Sequence, residues 1–193
     1  MIFAKNLVHG KVKTRLAATV GHDRALAVYT KLLEHTAAVT VHLPVDKFVF
    51  YSDYIDHKDC WDENSFQKRI QNGSDLGDKM CDAFAYAFNE GYNKVIIIGT
   101  DCMELETAII TNAFESLNRY DAVIGPAKDG GYYLLGIKKL HAAIFENIEW
   151  STNAVFEKTI AIFKQLNLTY CCLKKLSDVD VEKDLQHTNL VKQ

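Results

Sequence analysis

Short apolar runs alternate along the chain with longer stretches in which apolar positions recur every three or four residues, a rhythm that predicts βαβ units. Ile2–Ala4 reads as a first strand, and residues 22–42 as a helix carrying Ala25, Val28, Tyr29, Leu32, Leu33 and Thr36 at helical spacing. Phe48–Tyr51 is a second strand. A polar connector follows over residues 53–63, and then a short strand near residues 68–71. Leu76–Asn89 is a helix, with Met80, Ala83, Phe84, Ala87 and Phe88 on its apolar face, and it stops at Gly91. Val95–Ile98 is apolar on both faces, which places it in the centre of a sheet covered by helices on each side. Further along, the pattern predicts a helix over 106–118, strands over 122–124 and 132–137, a helix over 153–166, a strand over 170–173 and a terminal helix over 181–190.

Composition narrows the picture. The chain has 193 residues, 48% hydrophobic and 24% charged, enough to build a real core. It has no repeats, low-complexity tracts or Pro/Gly-rich linkers, so one domain spanning residues 1–193 is expected. A formal charge of −3 gives no basic footprint for nucleic acid. Lys5, Lys11, Lys13 and Arg15 nevertheless gather near the N-terminus, and such a cluster on a mildly acidic protein suits a small anionic ligand. The five cysteines contain no Cys-x-x-Cys pair, and the seven histidines show no ligand spacing. A disulfide framework or a zinc site is therefore not expected, which favours a reducing compartment. Cys171 and Cys172 lie in an apolar run and are expected as small buried hydrophobes. No signal-peptide core or membrane-length apolar run is present, so a cytoplasmic protein is expected. Nothing in the sequence specifies the oligomeric state.

Four segments carry candidate chemistry. The first runs from Phe3 to Leu16, where a strand end leads into a loop with Gly10 and then Lys11, Lys13 and Arg15. Ligands of open α/β sheets bind beyond the carboxyl ends of the strands, where backbone N–H groups and cations can hold phosphate. The segment is not a Walker loop, and a solvated basic turn accounts for it equally well. The second is Gly99-Thr100-Asp101-Cys102, which brings a carboxylate out at the end of the all-aliphatic strand. One such Asp suffices for a nucleotide–metal site, because Mg²⁺ takes one or two carboxylates with phosphate oxygens and water. Helix capping by Asp101 is the competing reading, but residues 104–106 separate it from the next helix. The third, Asp129-Gly130-Gly131, is either a hairpin turn or a carboxylate beside two glycines that let a ligand approach the backbone. The fourth spans Gln71 to Met80, in which Ser74 or Asp75 caps the following helix while the same lip could face a base or ribose.

Taken in order, the four segments resemble a family of small bacterial glycosyltransferases with the GT-A fold. These are relatives of the nucleotide-diphospho-sugar transferases and of nucleotidyltransferases such as the 2-phospholactate guanylyltransferases. The resemblance rests on Phe3-Ala4-Lys5 with Gly10, Val12-Lys13-Thr14-Arg15-Leu16, on Asp75-Leu76-Gly77, on Ile98-Gly99-Thr100-Asp101-Cys102 and on Gly125-Pro126-Ala127 with Asp129 to Leu134. Trp150-Ser151-Thr152 follows, and the likeness covers nearly the whole chain. It implies a three-layer α/β/α GT-A-like fold with a mixed, mainly parallel sheet.

By the same resemblance, Lys5, Gly10, Lys13 and Arg15 meet nucleotide phosphates, while Gly73, Asp75 and Gly77 line the nucleotide end. Asp101 falls where GT-A enzymes place a metal-binding Asp for Mg²⁺ or Mn²⁺. Asp129, flanked by Gly130 and Gly131, sits on the acceptor side as a second carboxylate for metal or proton transfer. Asp178-Val179-Asp180 and Asp184-Leu185 resemble the closing motif of sugar-nucleotide transferases, where Asp180 either approaches the metal or caps a helix. The implied activity is transfer of a sugar from a nucleotide-diphosphate sugar to an acceptor. The alternatives are nucleotidyl transfer from an NTP to a phosphorylated small molecule with release of pyrophosphate, or an inactive nucleotide-binding relative. The chain departs from the pattern at Leu7 and His9, which replace prolines, at Met103 for Pro, at Lys79 for Arg, and in having a single carboxylate in Thr100-Asp101-Cys102.

Overall fold

The computed structural model describes residues 1–186 and 188. Seven strands form one sheet: β1 (Ile2–Ala4), β2 (Phe48–Tyr51), β3 (Gln67–Ile70), β4 (Val95–Ile98), β5 (Ala122–Pro126), β6 (Tyr132–Ile137) and β7 (Tyr170–Cys172). Their spatial order is β3-β2-β1-β4-β6-β5-β7, and only β6 runs antiparallel to its neighbours. The helices are α1 (Thr14–Val20), α2 (His22–Val41), α3 (Leu76–Asn89), α4 (Thr107–Ser116), α5 (Val155–Gln165) and α6 (Glu182–Leu185), with a short 3-10 turn at Ala142–Ile144.

The layering follows from the side-chain alternation of β4. Ile96 and Ile98 pack with Leu16 of α1, Ala25, Leu32 and Leu33 of α2, and Ile110 and Ala113 of α4. Val95 and Ile97 point the other way, into Met80, Phe84 and Ala87 of α3 and Ile160 and Phe163 of α5. All four residues of β4 are buried, as a β-branched strand clothed on both faces requires. The result is a three-layer α/β/α arrangement with a mixed, mainly parallel sheet. At one edge, β3 is polar, with both of its terminal residues exposed. At the other lies β7, whose Cys171 is half-buried and Cys172 exposed. That corrects the expectation of a buried cysteine pair: an edge strand leaves part of its apolar run uncovered. All five cysteines are free thiols.

Helix α1, which the hydrophobic pattern did not single out, packs Leu16 and Ala17 inward directly after the basic loop. The terminal helix is shorter than its periodicity implied, and residues 187, 189 and 190 of that expectation lie outside the described residues. Among the described residues no helix is long and apolar enough to cross a membrane.

Because β1, β2, β4 and β5 all point the same way, their carboxyl ends deliver residues 5–13, 52–54, 99–103 and 127–131 to one edge of the sheet. The chain after β7 returns to that edge. Leu176 N–H bonds Pro126 O at 3.1 Å, Lys128 N–H bonds Leu176 O at 2.9 Å, and Val179 N–H bonds Asp101 O at 2.9 Å.

Gly136 of β6 leaves the space that Val123, Ile96 and Leu117 fill: a Cβ built there would lie 2.6 Å from Val123 Cγ1 and 2.9 Å from Ile96 Cγ1. Gly136→Ala is expected to overpack the sheet and destabilise the protein by about 1–3 kcal/mol, read as a lower Tm in thermal unfolding.

Candidate functional site

The cations and the carboxylates meet. Lys13 Nζ lies 2.7 Å from Asp101 Oδ1 and 3.0 Å from Asp180 Oδ1, and Arg15 Nη1 lies 3.4 Å from Asp180 Oδ2. Lys13 stands immediately before α1 in the left-handed region (φ 48°), and its side chain is only 5% exposed. A non-glycine residue holds that conformation when its surroundings over-determine it, and such residues cluster at functional sites. Burial alone would lower the lysine's pKa, but the charges and hydrogen bonds of Asp101 and Asp180 outweigh it and hold the ammonium above its ordinary value.

The scaffold behind this cluster is polar and buried. The Tyr29 hydroxyl on α2 accepts from Lys5 N–H at 2.8 Å and lies 3.1 Å from Thr100 Oγ1, so one phenol joins the start of the basic loop to the end of β4. Burial, reinforced by the Asp101 charge, pushes this phenol up and keeps it protonated. Asn6, 4% exposed, donates to Tyr54 O and accepts from the N–H groups of Asp53 and Tyr54, tying the basic loop to the end of β2. Neither residue stands out in the sequence, because a tyrosine on an apolar helix face and an asparagine in a loop look ordinary there.

Asp101 does not cap α4, which starts at Thr107 behind Glu106. Asp180 does not cap α6 either: Asp184 Oδ2 accepts from the N–H groups of Asp180 and Val181, leaving the Asp180 carboxylate to the cations. Asp129 accepts from Gly131 N–H at 2.9 Å in the turn between β5 and β6, so the hairpin and the carboxylate are one feature. Asp178, named in the closing motif but given no role there, is a further carboxylate beside Asp101 and Asp129. Burial first, and then the negative charge of Asp101 and Asp129, push it up to about 7.

The other expected residues are placed as follows. Lys5 is exposed at the start of the loop and Gly10 turns it with φ 77°. Asp75 is the N-cap of α3, accepting from Asp78 N–H, and Asp78 in turn accepts from Ser74. Gly73, exposed just before this cap, leaves no room for a side chain beside Asp78. Gly77 lies beneath the Trp150 indole, where a Cβ would meet Nε1 at 2.5 Å, and Gly130 packs against the backbone of Asn153.

Among the described residues no three His, Cys, Asp or Glu side chains form a cage that would hold a metal ion unaided. Mg²⁺ does not require one. The Lys13 ammonium acts as a stand-in cation held by two carboxylate oxygens, one from Asp101 and one from Asp180. These hard oxygen donors fit Mg²⁺ or Mn²⁺.

The unfolded Asp178 releases its proton near pH 4 and the folded one near pH 7, so the folded state binds more protons between those values and loses stability as pH rises through them. Asp178→Asn is expected to flatten that slope and to raise Tm above wild type at pH 8, in melts run from pH 4 to 8. Tyr29→Phe removes the link between Lys5 and Thr100 and is expected to cost on the order of 1 kcal/mol, measured by urea unfolding.

The family model described as "Uncharacterized protein conserved in bacteria (DUF2064)" matches residues 32–152, more than half of the chain. No curated protein matches it in sequence. Among solved structures, a candidate nucleotide-diphospho-sugar transferase from Desulfovibrio desulfuricans G20 is 28% identical, with a TM-score of 0.88, covering 98% of this chain and 90% of that one. The 4-diphosphocytidyl-2C-methyl-D-erythritol synthase of Anaerococcus prevotii is 10% identical, with a TM-score of 0.60 over 97% of this chain and 95% of that one. The bifunctional IspDF of Campylobacter jejuni is 11% identical, with a TM-score of 0.59, and covers 97% of this chain but 53% of its own. These last two share the fold alone. The chain belongs to the DUF2064 family and has the nucleotide-diphospho-sugar transferase fold.

Proposed function

We propose that the protein is a metal-assisted transferase that moves a sugar from a nucleotide-diphosphate sugar to an acceptor. The observation that carries this reading is the convergence of Lys13, Arg15, Asp101 and Asp180 at the carboxyl edge of the sheet. The 28% identity to a candidate nucleotide-diphospho-sugar transferase supports the donor class.

In this reading the loop from Lys5 to Lys13 receives the donor diphosphate, with Gly10 letting the backbone turn close to it. Lys13 and Arg15 stabilise the charge that builds on the diphosphate as the sugar–oxygen bond breaks. Asp101 and Asp180 would hold Mg²⁺ or Mn²⁺, whose Lewis acidity supplies further stabilisation of the leaving group. Asp129, its Oδ1 anchored by Gly131 N–H, positions the acceptor hydroxyl and accepts its proton. In the same reading the lip at Gly73, Asp75 and Gly77 faces the nucleotide, with the Trp150 indole packed on Gly77.

The test is thermal unfolding with UDP-, GDP- and dTDP-sugars at millimolar concentration, each with Mn²⁺. One base is expected to raise Tm by several degrees, since a ligand at 100 times its Kd stabilises by about 2.7 kcal/mol. Asp101→Asn is expected to lose the Mn²⁺-dependent part of that rise. No stabilisation by any donor contradicts the proposal. Pyrophosphate release from an NTP and a phosphorylated acid would assign the site to nucleotidyl transfer instead, because the same cations and carboxylates serve both reactions.

A further inference from the structure

Lys13 Nζ occupies the point between Asp101 and Asp180 where a divalent cation bound by both carboxylates would sit. We propose that Lys13 is the resident counter-ion of this carboxylate pair, and that a divalent metal displaces it toward the donor diphosphate, making metal and nucleotide binding interdependent. This inference rests on the transferase reading above and deepens it.

Three features favour exchange over a permanent ion pair. First, the two partners are unequally enclosed. The Lys13 side chain is 5% exposed, but those of Asp101 and Asp180 are 45% and 32% exposed, so both carboxylates remain open to an incoming ion. Second, Asp180 has another cation at hand. Arg15 Nη1 lies 3.4 Å from its second oxygen and is itself 72% exposed, so Asp180 keeps a partner while Lys13 moves. Third, the charges balance in both states. Lys13 and Arg15 face Asp101 and Asp180 when the site is free. A divalent metal and the two negative charges of a nucleotide-diphosphate sugar add equal and opposite amounts. A metal without a diphosphate would instead strand the buried ammonium, which burial alone already disfavours. The left-handed backbone at Lys13 sets the lysine at the junction of the basic loop and α1.

The coupling has a signature that needs no turnover. Free Mn²⁺ is measured by electron paramagnetic resonance while the full-length protein is titrated without nucleotide. Lys13→Met, which removes the competing ammonium, is expected to bind Mn²⁺ at least tenfold more tightly than wild type, and adding Asp101→Asn is expected to abolish the gain. Should Lys13→Met fail to fold, the wild-type protein decides the matter. Acylation of its lysines, read by mass spectrometry, is expected to show Lys13 several-fold more reactive at saturating Mn²⁺ than without metal. Equal Mn²⁺ affinity of a folded Lys13→Met, or unchanged Lys13 reactivity, overturns the exchange and leaves the transferase reading standing. Absence of Mn²⁺ binding to wild type and variant alike at millimolar metal overturns both the exchange and the metal-assisted part of that reading.

Discussion

A single ammonium group holds together parts of the chain that lie far apart in sequence. Lys13 comes from the loop after β1, Asp101 from the end of β4 and Asp180 from the segment after β7, and all three meet within 3.0 Å contacts. A buried cation of this kind is tolerable only with its counter-charges in place, because an ammonium taken out of water needs opposite charge and hydrogen bonds to offset its lost hydration. The ion cluster therefore constrains the path of the basic loop, the end of the central strand and the return of the C-terminal segment at once.

The sheet makes that meeting possible. With β1, β2, β4 and β5 parallel, their loops collect at one edge, and antiparallel β6 places the turn around Asp129 there as well. Backbone bonds from Val179 to Asp101 and from Lys128 to Leu176 then fasten the C-terminal segment across this edge. Tyr29 and Asn6 do the same for the N-terminal loop from below. Asp178 is buried at this edge, and burial first, then the negative charges of Asp101 and Asp129, make it hold its proton to about pH 7.

Much of the architecture was legible from periodicity. The aliphatic run of β4 could only be a doubly covered strand, and the helices at α2 and α3 announced themselves by spacing and by the Asp75 cap. What the pattern could not carry was anything set by position in the sheet. Cys172 is exposed because β7 lies at an edge, and strand order is not written in local hydrophobicity. Helix α1 is too short and too close to the cations for its apolar face to show. In the site, Lys13 and Asp101 were recognisable because they sit in motifs. Tyr29 and Asn6 lie outside any motif, and Asp178 lies in one without a role of its own, since the importance of all three comes from neighbours 24 to 77 residues away in the chain. In sequence Asp180 reads equally as a cap and as a ligand, and the structure gives the cap to Asp184.

Anomalous diffraction from crystals grown with Mn²⁺ and a nucleoside diphosphate locates the metal relative to Lys13, Asp101 and Asp180. A manganese peak is expected against Asp101 and Asp180, with Lys13 Nζ moved off Asp101 and onto a phosphate oxygen. A nucleotide bound away from the carboxyl edge of the sheet, or a Lys13 still paired with Asp101 beside a bound metal and diphosphate, would contradict that expectation.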